Sequence, residues 1–241
     1  MDNITRNTSK RRKDIILKRI AQNEENETVE ISIPATVYFS NSGRILVNSP
    51  GLGVCKDGEK GKFAEIAALL QEFNVASVVL YQSSLADFAF KKVSMEALLT
   101  DNLRTVLNYA LSKSRIICGS NKPVLFAAGH SAGASTTAAV APENPQVSKM
   151  LLIAPSGDID PSIVKKSLSK YIGELYVASG DRDYVISPAA AHALAEWAIR
   201  AKSKQVVTIS DCDHDFSGER NSKFFSKAYF WAFNNERISF N

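Results

Sequence analysis

The chain has 241 residues, 45% of them hydrophobic and 22% charged, which is typical of a globular protein with one large core. A net charge of +4 is too small to indicate nucleic acid as a partner, and three scattered cysteines argue against a disulfide framework or a zinc site. No secretory signal opens the chain and no apolar run reaches the roughly 20 residues of a membrane span. We therefore expect a cytoplasmic protein without an integral membrane segment.

Residues 1–27 are polar and basic, with one apolar group at Ile15, Ile16, Leu17 and Ile20. Polar, charged segments with little apolar bulk usually stay unpacked, so we predict an N-terminal tail that is disordered or helical. The alternative is a basic amphipathic helix that contacts a membrane or nucleic acid.

From Thr28 onward, β-branched and apolar segments alternate with helical patterns. Strands are predicted at "TVEISIP", "ATVYFS", "RILVNSP", "ASVVLYQ", "PVLFAAG", "KMLLIAP", "ELYVASG" and "QVVTIS". Helices are predicted at "KFAEIAALLQEF", "MEALLTDNLRTVLNYALSKS", "SPAAAHALAEWAIRAKS" and "NSKFFSKAYFWAFNN". The alternation predicts an α/β fold over residues 28–241 as a single domain, with a mostly parallel, doubly wound sheet of about seven or eight strands and helices on both faces. Ligands of such sheets bind at the carboxyl ends of the strands.

One turn at the carboxyl end of a predicted strand contains a residue pattern typical of nucleophilic catalysis. After the strand "PVLFAA", the sequence Gly129-His130-Ser131-Ala132-Gly133 matches the pattern G-x-S-x-G. A serine on a sharp strand-to-helix turn needs a strained backbone, and larger residues at the two glycines would collide with the chain passing close by. We predict Ser131 as a nucleophile, with the following helix directing its amides toward charge on the substrate.

A serine nucleophile needs a base, and the chain has three histidines. His130 should project away from the hydroxyl of Ser131, and His192 lies within a helical pattern. His214, in "SDCDHDFSG" after the last strand, is at the correct edge of the sheet and is the predicted base. We interpret Asp211, Asp213 and Asp215 around it as solvated loop charges that raise its pKa, and not as metal ligands.

The base in turn needs a carboxylate. "GDRDYVISP" follows the strand "ELYVAS" and offers Asp181 and Asp183, of which we favour Asp183. Asp158 and Asp160, after "KMLLIAP", are a further option.

Stabilising a developing oxyanion needs two donors. Ala132 supplies one backbone N–H. The loop Pro50-Gly51-Leu52-Gly53 after "RILVNSP" supplies the second, and its glycines Gly51 and Gly53 permit close approach, with the N–H of Leu52 as the natural donor. The rival interpretation, a phosphate-binding loop over "GLGVCKDG", lacks the Lys-Ser ending of such loops.

These motifs together resemble the α/β-hydrolase superfamily over residues 29–233. The resemblance rests on "GHSAG", on "GDRDYVISP" and on "DHDF", and it implies Ser131, Asp183 and His214 as a catalytic triad with Leu52 and Ala132 as oxyanion donors. Many members carry His-Gly at the oxyanion loop, whereas Pro50 precedes Gly51 here. Larger members insert a cap domain after the strand that corresponds to "KMLLIAP", whereas this chain has only "SGDIDPSIVKKSLSKYIG" there, so a lidless site is expected.

The resulting hypothesis is a serine hydrolase, with an ester the favoured substrate over a thioester or amide. Substrate contacts are expected from His130, Leu85 and Phe88, the last two in a loop that could overhang the site. No metal or organic cofactor is required, and the partner is a small acyl compound. The alternative is a catalytically silent protein of the same fold that binds a small molecule. The sequence does not predict an oligomeric state.

Overall fold

In the computed structural model, which describes residues 11–236, eight strands form one sheet. The strands are β1 (Arg12–Gln22), β2 (Thr28–Tyr38), β3 (Arg44–Ser49), β4 (Ser77–Tyr81), β5 (Val124–His130), β6 (Val147–Ile153), β7 (Glu174–Gly180) and β8 (Ser203–Ile209). Their order across the sheet is β1-β2-β4-β3-β5-β6-β7-β8. The β1–β2 and β2–β4 pairs are antiparallel, and all other pairs are parallel. The predicted mostly parallel sheet is confirmed.

Eight α-helices connect and cover the strands of the described chain. They are α1 (Lys62–Glu72), α2 (Leu85–Lys91), α3 (Met95–Ser112), α4 (Ser114–Cys118), α5 (Ala132–Val140), α6 (Pro161–Leu168), α7 (Pro188–Trp197) and α8 (Gly218–Asn234). Helices α1 and α8 pack on one face of the sheet, and α3, α5, α6 and α7 pack on the other. Strand β4, whose five residues are all buried, shows why the central strands are apolar on both sides. No helix within residues 11–236 is long and apolar enough to cross a membrane.

The predicted N-terminal tail is wrong for residues 12–22, which form the edge strand β1. The strand has a period of two, in which Ile15, Leu17 and Ala21 face the core while Ile16 and Ile20 remain exposed. Charged side chains at intervening positions hide this alternation in the sequence. Residues 1–10 of the expected tail lie outside the described residues, and a single domain over residues 28–241 stays a prediction.

Arg19 explains how a charged strand can belong to the core sheet. Its side chain is 10% exposed, its Nε donates to Oδ1 of the buried Asn102 on α3 at 2.7 Å, and Asp101 lies 3.7 Å away. Asn102 Nδ2 in turn donates to Oγ of Ser83. The guanidinium is therefore paired on the inner face, and it fastens β1 to α3.

The hairpin between β1 and β2 is closed by Asn23, whose side-chain oxygen accepts the backbone N–H groups of Glu25 and Glu27. Strand β2 runs through Pro34 as one strand, although the sequence indicated two segments there. Pro34 has no N–H to donate, and pairing of β2 with β4 begins only at the next residue, Ala35. The predicted count of eight strands is met, but β1 was not predicted, and two of the predicted segments form the single strand β2.

Candidate functional site

The turn between β5 and α5 holds Ser131 in a strained conformation. Its backbone angles are φ 54° and ψ −127°, a region that a residue with a side chain adopts only when its surroundings impose it. The backbone N–H of Ser131 donates to the carbonyl of Ile153 on β6 at 3.0 Å, which helps to fix the turn. The hydroxyl is thereby presented at the carboxyl edge of the sheet, where the sequence predicted it.

This turn requires glycine at positions 129 and 133, because other backbone segments pass too close to both residues for a side chain to fit. A Cβ built on Gly129 would lie 2.2 Å from the carbonyl oxygen of Gly133. A Cβ built on Gly133 would lie 2.2 Å from the carbonyl oxygen of Ser49 and 2.3 Å from that of Pro50. Because these neighbours are backbone atoms, no side chain can be accommodated without moving the chain.

Three side chains from separate loops form a hydrogen-bonded line at the end of β5. Oγ of Ser131 lies 2.8 Å from Nε2 of His214, and Nδ1 of His214 lies 2.8 Å from Oδ2 of Asp183. His214 lies in the loop after β8, and Asp183 lies in the loop after β7. In this arrangement Nδ1–H donates to the carboxylate, which leaves Nε2 free to accept the serine proton.

Asp183 is built to remain an acceptor. Its side chain is fully buried, and its Oδ1 accepts the backbone N–H groups of Val185 and Ile186, both at 2.9 Å. This leaves Oδ2 for the imidazole. The rival Asp181 is exposed. Asp160 instead caps α6, by accepting the backbone N–H of Ser162.

His130 points away from the hydroxyl of Ser131, as expected, but its predicted contact with substrate finds no support in the geometry. Its ring is buried against Phe216 and Phe225, and its Nε2–H donates to the backbone carbonyl of His214 at 3.1 Å. Burial lowers the pKa of His130 to about 4, so the ring is neutral near pH 7. His130 therefore holds the loop that carries His214. His192 is an exposed residue of α7.

The three aspartates around His214 have different surroundings. Asp213 accepts the backbone N–H of Ser217 at 2.7 Å, which lowers its pKa and shapes the loop before α8. Asp211 pairs with Arg182 at 2.5 Å on the exposed surface. Asp215 is exposed as well, so these two fit the predicted role of solvated charges.

Potential ligand atoms of His130, His214 and Asp215 lie within 4.8 Å of one another, a separation that a metal ion could bridge. Both ring nitrogens of His214 are already engaged by Ser131 and Asp183. A metal bound through His214 would therefore displace one of these partners. The expectation of a metal-free site stays a prediction.

The glycine loop after β3 lies directly against Ser131. A Cβ built on Gly51 would lie 3.4 Å from Cβ of Ser131, and Leu52 follows with its side chain 41% exposed. Leu85, the first residue of α2, contacts this loop, since a Cβ built on Gly53 would lie 3.2 Å from its Cδ1. Phe88 on the same helix is 42% exposed. Helix α2 thus borders the loop, and α6 is the only helix between β6 and β7 in the described chain.

No protein-family model matches the chain, and no curated protein matches it in sequence. Solved structures match most of its length. The esterase Est1E from Butyrivibrio proteoclasticus superposes with a TM-score of 0.66 at 14% identity, over 88% of this chain and 95% of the esterase. A dienelactone hydrolase from Anabaena variabilis gives 0.64 at 14% identity over 92% and 99% of the two chains, and an esterase from Pyrococcus furiosus gives 0.64 at 11% identity over 91% and 93%.

The chain has the α/β-hydrolase fold. Within this fold, the line from Ser131 through His214 to Asp183 lies at the carboxyl ends of β5, β7 and β8. The sequence predicted these three residues from spacing and elimination, whereas it missed the groups that hold them. The paired amides at Val185 and Ile186 could have been found, because an aspartate followed by a turn commonly bonds backbone amides two or three residues ahead. The bond from His130 to His214 spans 84 residues and carries no local signal.

Proposed function

We propose that the protein is a serine hydrolase that cleaves a carboxylic ester or a related acyl compound through an acyl-enzyme. The observation that carries this proposal is the continuous line of two 2.8 Å contacts from Ser131 through His214 to Asp183. It is supported by the strained conformation of Ser131 and by the full burial of Asp183. That several solved neighbours are named as esterases or hydrolases points to the same chemistry.

In the first half of the reaction, Oγ of Ser131 forms a bond to the carbonyl carbon while its proton passes to Nε2 of His214. The carbonyl π electrons move to oxygen, and the N–H groups of Ala132 and Leu52 stabilise the resulting oxyanion. When the tetrahedral intermediate collapses, the bond to the leaving group breaks and the imidazolium of His214 protonates that group. The alcohol departs and an ester of Ser131 remains.

In the second half, water takes the place of the alcohol. His214 accepts a proton from the water as its oxygen bonds to the acyl carbon, and the bond to Ser131 then breaks with return of that proton to Oγ. The buried carboxylate of Asp183 keeps His214 in the required tautomer and stabilises its positive charge in both halves. These steps need no metal or organic cofactor.

The test is the Ser131→Ala variant with p-nitrophenyl acetate as substrate. We expect kcat to fall by a factor of about 10⁴ or more, because the nucleophile is lost. A fluorophosphonate probe should label the wild-type protein at Ser131 and leave the variant unlabelled. Labelling separates catalysis from the alternative of a silent binding protein, which should not react. Full esterase activity in Ser131→Ala would contradict the proposal.

A further inference from the structure

An apolar cavity of about 210 Å³ lies between α6, α7 and the loop after β6. Most of its wall is hydrocarbon, contributed by Pro155, Ile159, Val164, Ile186, Leu194 and Trp197. The hydroxyl of Ser135, also in the wall, donates to the carbonyl of Ser156, so this polar group is already satisfied. A wall of this composition favours an apolar occupant, because the contact removes apolar surface of both partners from water.

Three hydrogen bonds connect the wall of this cavity to the segments that carry Ser131 and Asp183. The backbone N–H of Ser156 donates to the carbonyl oxygen of Ser131 at 3.3 Å, and that of Ser135, one helical turn further along α5, donates to the same oxygen at 3.2 Å. The backbone N–H of Ile186 donates to Oδ1 of Asp183 at 2.9 Å. The wall is therefore built from the same segments that hold the nucleophile and the acid.

We propose that this cavity is the acyl-binding subsite and that it takes an apolar acyl group of six to eight carbons. The inference rests on the proposed function. An acyl group is the better occupant than the alcohol because His214 must protonate the leaving group, which places the alcohol on the side of the His214 loop. Within the described chain, no residue of that loop lines the cavity, whereas two lining residues, Ser135 and Ser156, bond to the backbone carbonyl of Ser131.

The size of the cavity sets the length of the acyl group. An apolar protein cavity of about 150 Å³ is sufficient to hold benzene, which has six carbons. The cavity here is somewhat larger, at about 210 Å³, yet smaller than the pockets of about 300–1,000 Å³ that enclose whole drug-sized ligands. It therefore accommodates one apolar arm of a substrate, with the alcohol remaining outside.

The experiment measures kcat/KM for p-nitrophenyl esters from acetate to decanoate. Each buried methylene should raise kcat/KM about fourfold, so hexanoate, with four more methylenes, should exceed acetate by up to about 250-fold in the wild-type protein. The increase should stop near octanoate, where the cavity is full. A parallel series of acetate esters with alcohols of increasing length should show no such dependence.

Two substitutions test the cavity directly. Ala193 lines it, and Ala193→Phe should fill it, which lowers the hexanoate-to-acetate ratio of kcat/KM by about tenfold or more. The matched control is Ala189→Phe, at an exposed position of the same helix outside the cavity wall, which should leave the ratio unchanged. Trp197→Ala enlarges the cavity and should move the optimum to longer chains, a gain that misfolding cannot imitate.

The outcomes distinguish this inference from the function on which it rests. If no ester is hydrolysed in a Ser131-dependent manner, the proposed function is wrong and the inference is wrong with it. If hydrolysis depends on Ser131 but Ala193→Phe and Trp197→Ala leave the chain-length profile unaltered, the subsite is wrong and the function stands. A change confined to the alcohol series would assign the cavity to the leaving group and overturn the acyl assignment.

Discussion

Replacing Asp183 with asparagine changes one oxygen to an NH₂ group and leaves the shape of the side chain almost unaltered. In the wild-type protein, Oδ1 accepts two backbone N–H groups and Oδ2 accepts Nδ1–H of His214. The single oxygen of the asparagine amide can accept either the two backbone N–H groups or Nδ1–H of His214, but not both. The substitution therefore forces a choice between the loop after β7 and the imidazole.

The structure indicates which choice is made. If the amide oxygen faced His214, its NH₂ group would oppose the two backbone N–H groups that Oδ1 binds in the wild-type protein, and each would lose its acceptor, at a cost of up to about 1–3 kcal/mol. The oxygen should therefore remain on the backbone amides, and the NH₂ group should donate to Nδ1. His214 must then carry its proton on Nε2, facing Ser131, where it cannot act as a base. The same change of tautomer in a serine protease lowers kcat about 10⁴-fold, equivalent to about 5 kcal/mol of barrier.

The assay is the kcat of Asp183→Asn with p-nitrophenyl acetate, together with its unfolding midpoint in urea. We expect kcat to fall about 10⁴-fold while the fold is retained. The control is Asp181→Asn, an identical change at an exposed position two residues earlier, which should leave kcat close to that of the wild-type protein. The reasoning is refuted if Asp181→Asn is the inactive variant, or if Asp183→Asn retains its activity.

Three further predictions concern stability, each measured by urea denaturation. Gly133→Ala should lower the free energy of unfolding by at least about 3 kcal/mol, because its Cβ would lie 2.2 Å from a carbonyl oxygen. The control, Gly157→Ala, has open space around it and should be tolerated, and equal losses in the two variants would contradict this reasoning. Arg19→Ala should lower the free energy of unfolding by about 1–3 kcal/mol, because the buried side-chain oxygen of Asn102 loses its donor. The control, Lys18→Ala, breaks an exposed ion pair with Glu30 and should lower it by less than about 1 kcal/mol. Burial lowers the pKa of His130 to about 4 in the folded protein, below its ordinary 6.5. Because the unfolded chain therefore binds more protons between these two values, the free energy of unfolding should fall by about 3 kcal/mol as the pH falls from 6.5 to 4. In His130→Gln this loss should shrink, and an unchanged pH dependence would argue against the assignment.

The parallel part of the sheet could be predicted because each of its strands is followed by a helix and all of them except the edge strand β8 are apolar and buried on both faces. The N-terminal hairpin could not, because β1 faces the core on one side only and one of its inward residues is Arg19. What makes that charge tolerable is Asn102, which is 83 residues away in sequence. The sequence of β1 alone therefore does not reveal Asn102, whose side chain binds the buried guanidinium of Arg19.

The same distinction applies to the site. Ser131 lies in a five-residue pattern whose glycines have a steric reason, and only three histidines compete for the role of base, so both positions could be inferred locally. Asp183 differs from Asp181 through burial and two backbone amides, which depend on how the loop after β7 folds. The cavity between α6 and α7 arises from the packing of helices from separate segments, and no motif marks it.

The contact of Gly133 with the carbonyls of Ser49 and Pro50 holds the turn that carries Ser131 against the loop after β3, the proposed source of the second oxyanion donor, through main-chain atoms alone. The separation between them is consequently independent of the side chains at the rim of the site. Variants that reshape the rim should therefore keep the spacing between Ser131 and this loop, so the selectivity of the proposed hydrolase could be redesigned without moving the groups proposed to react.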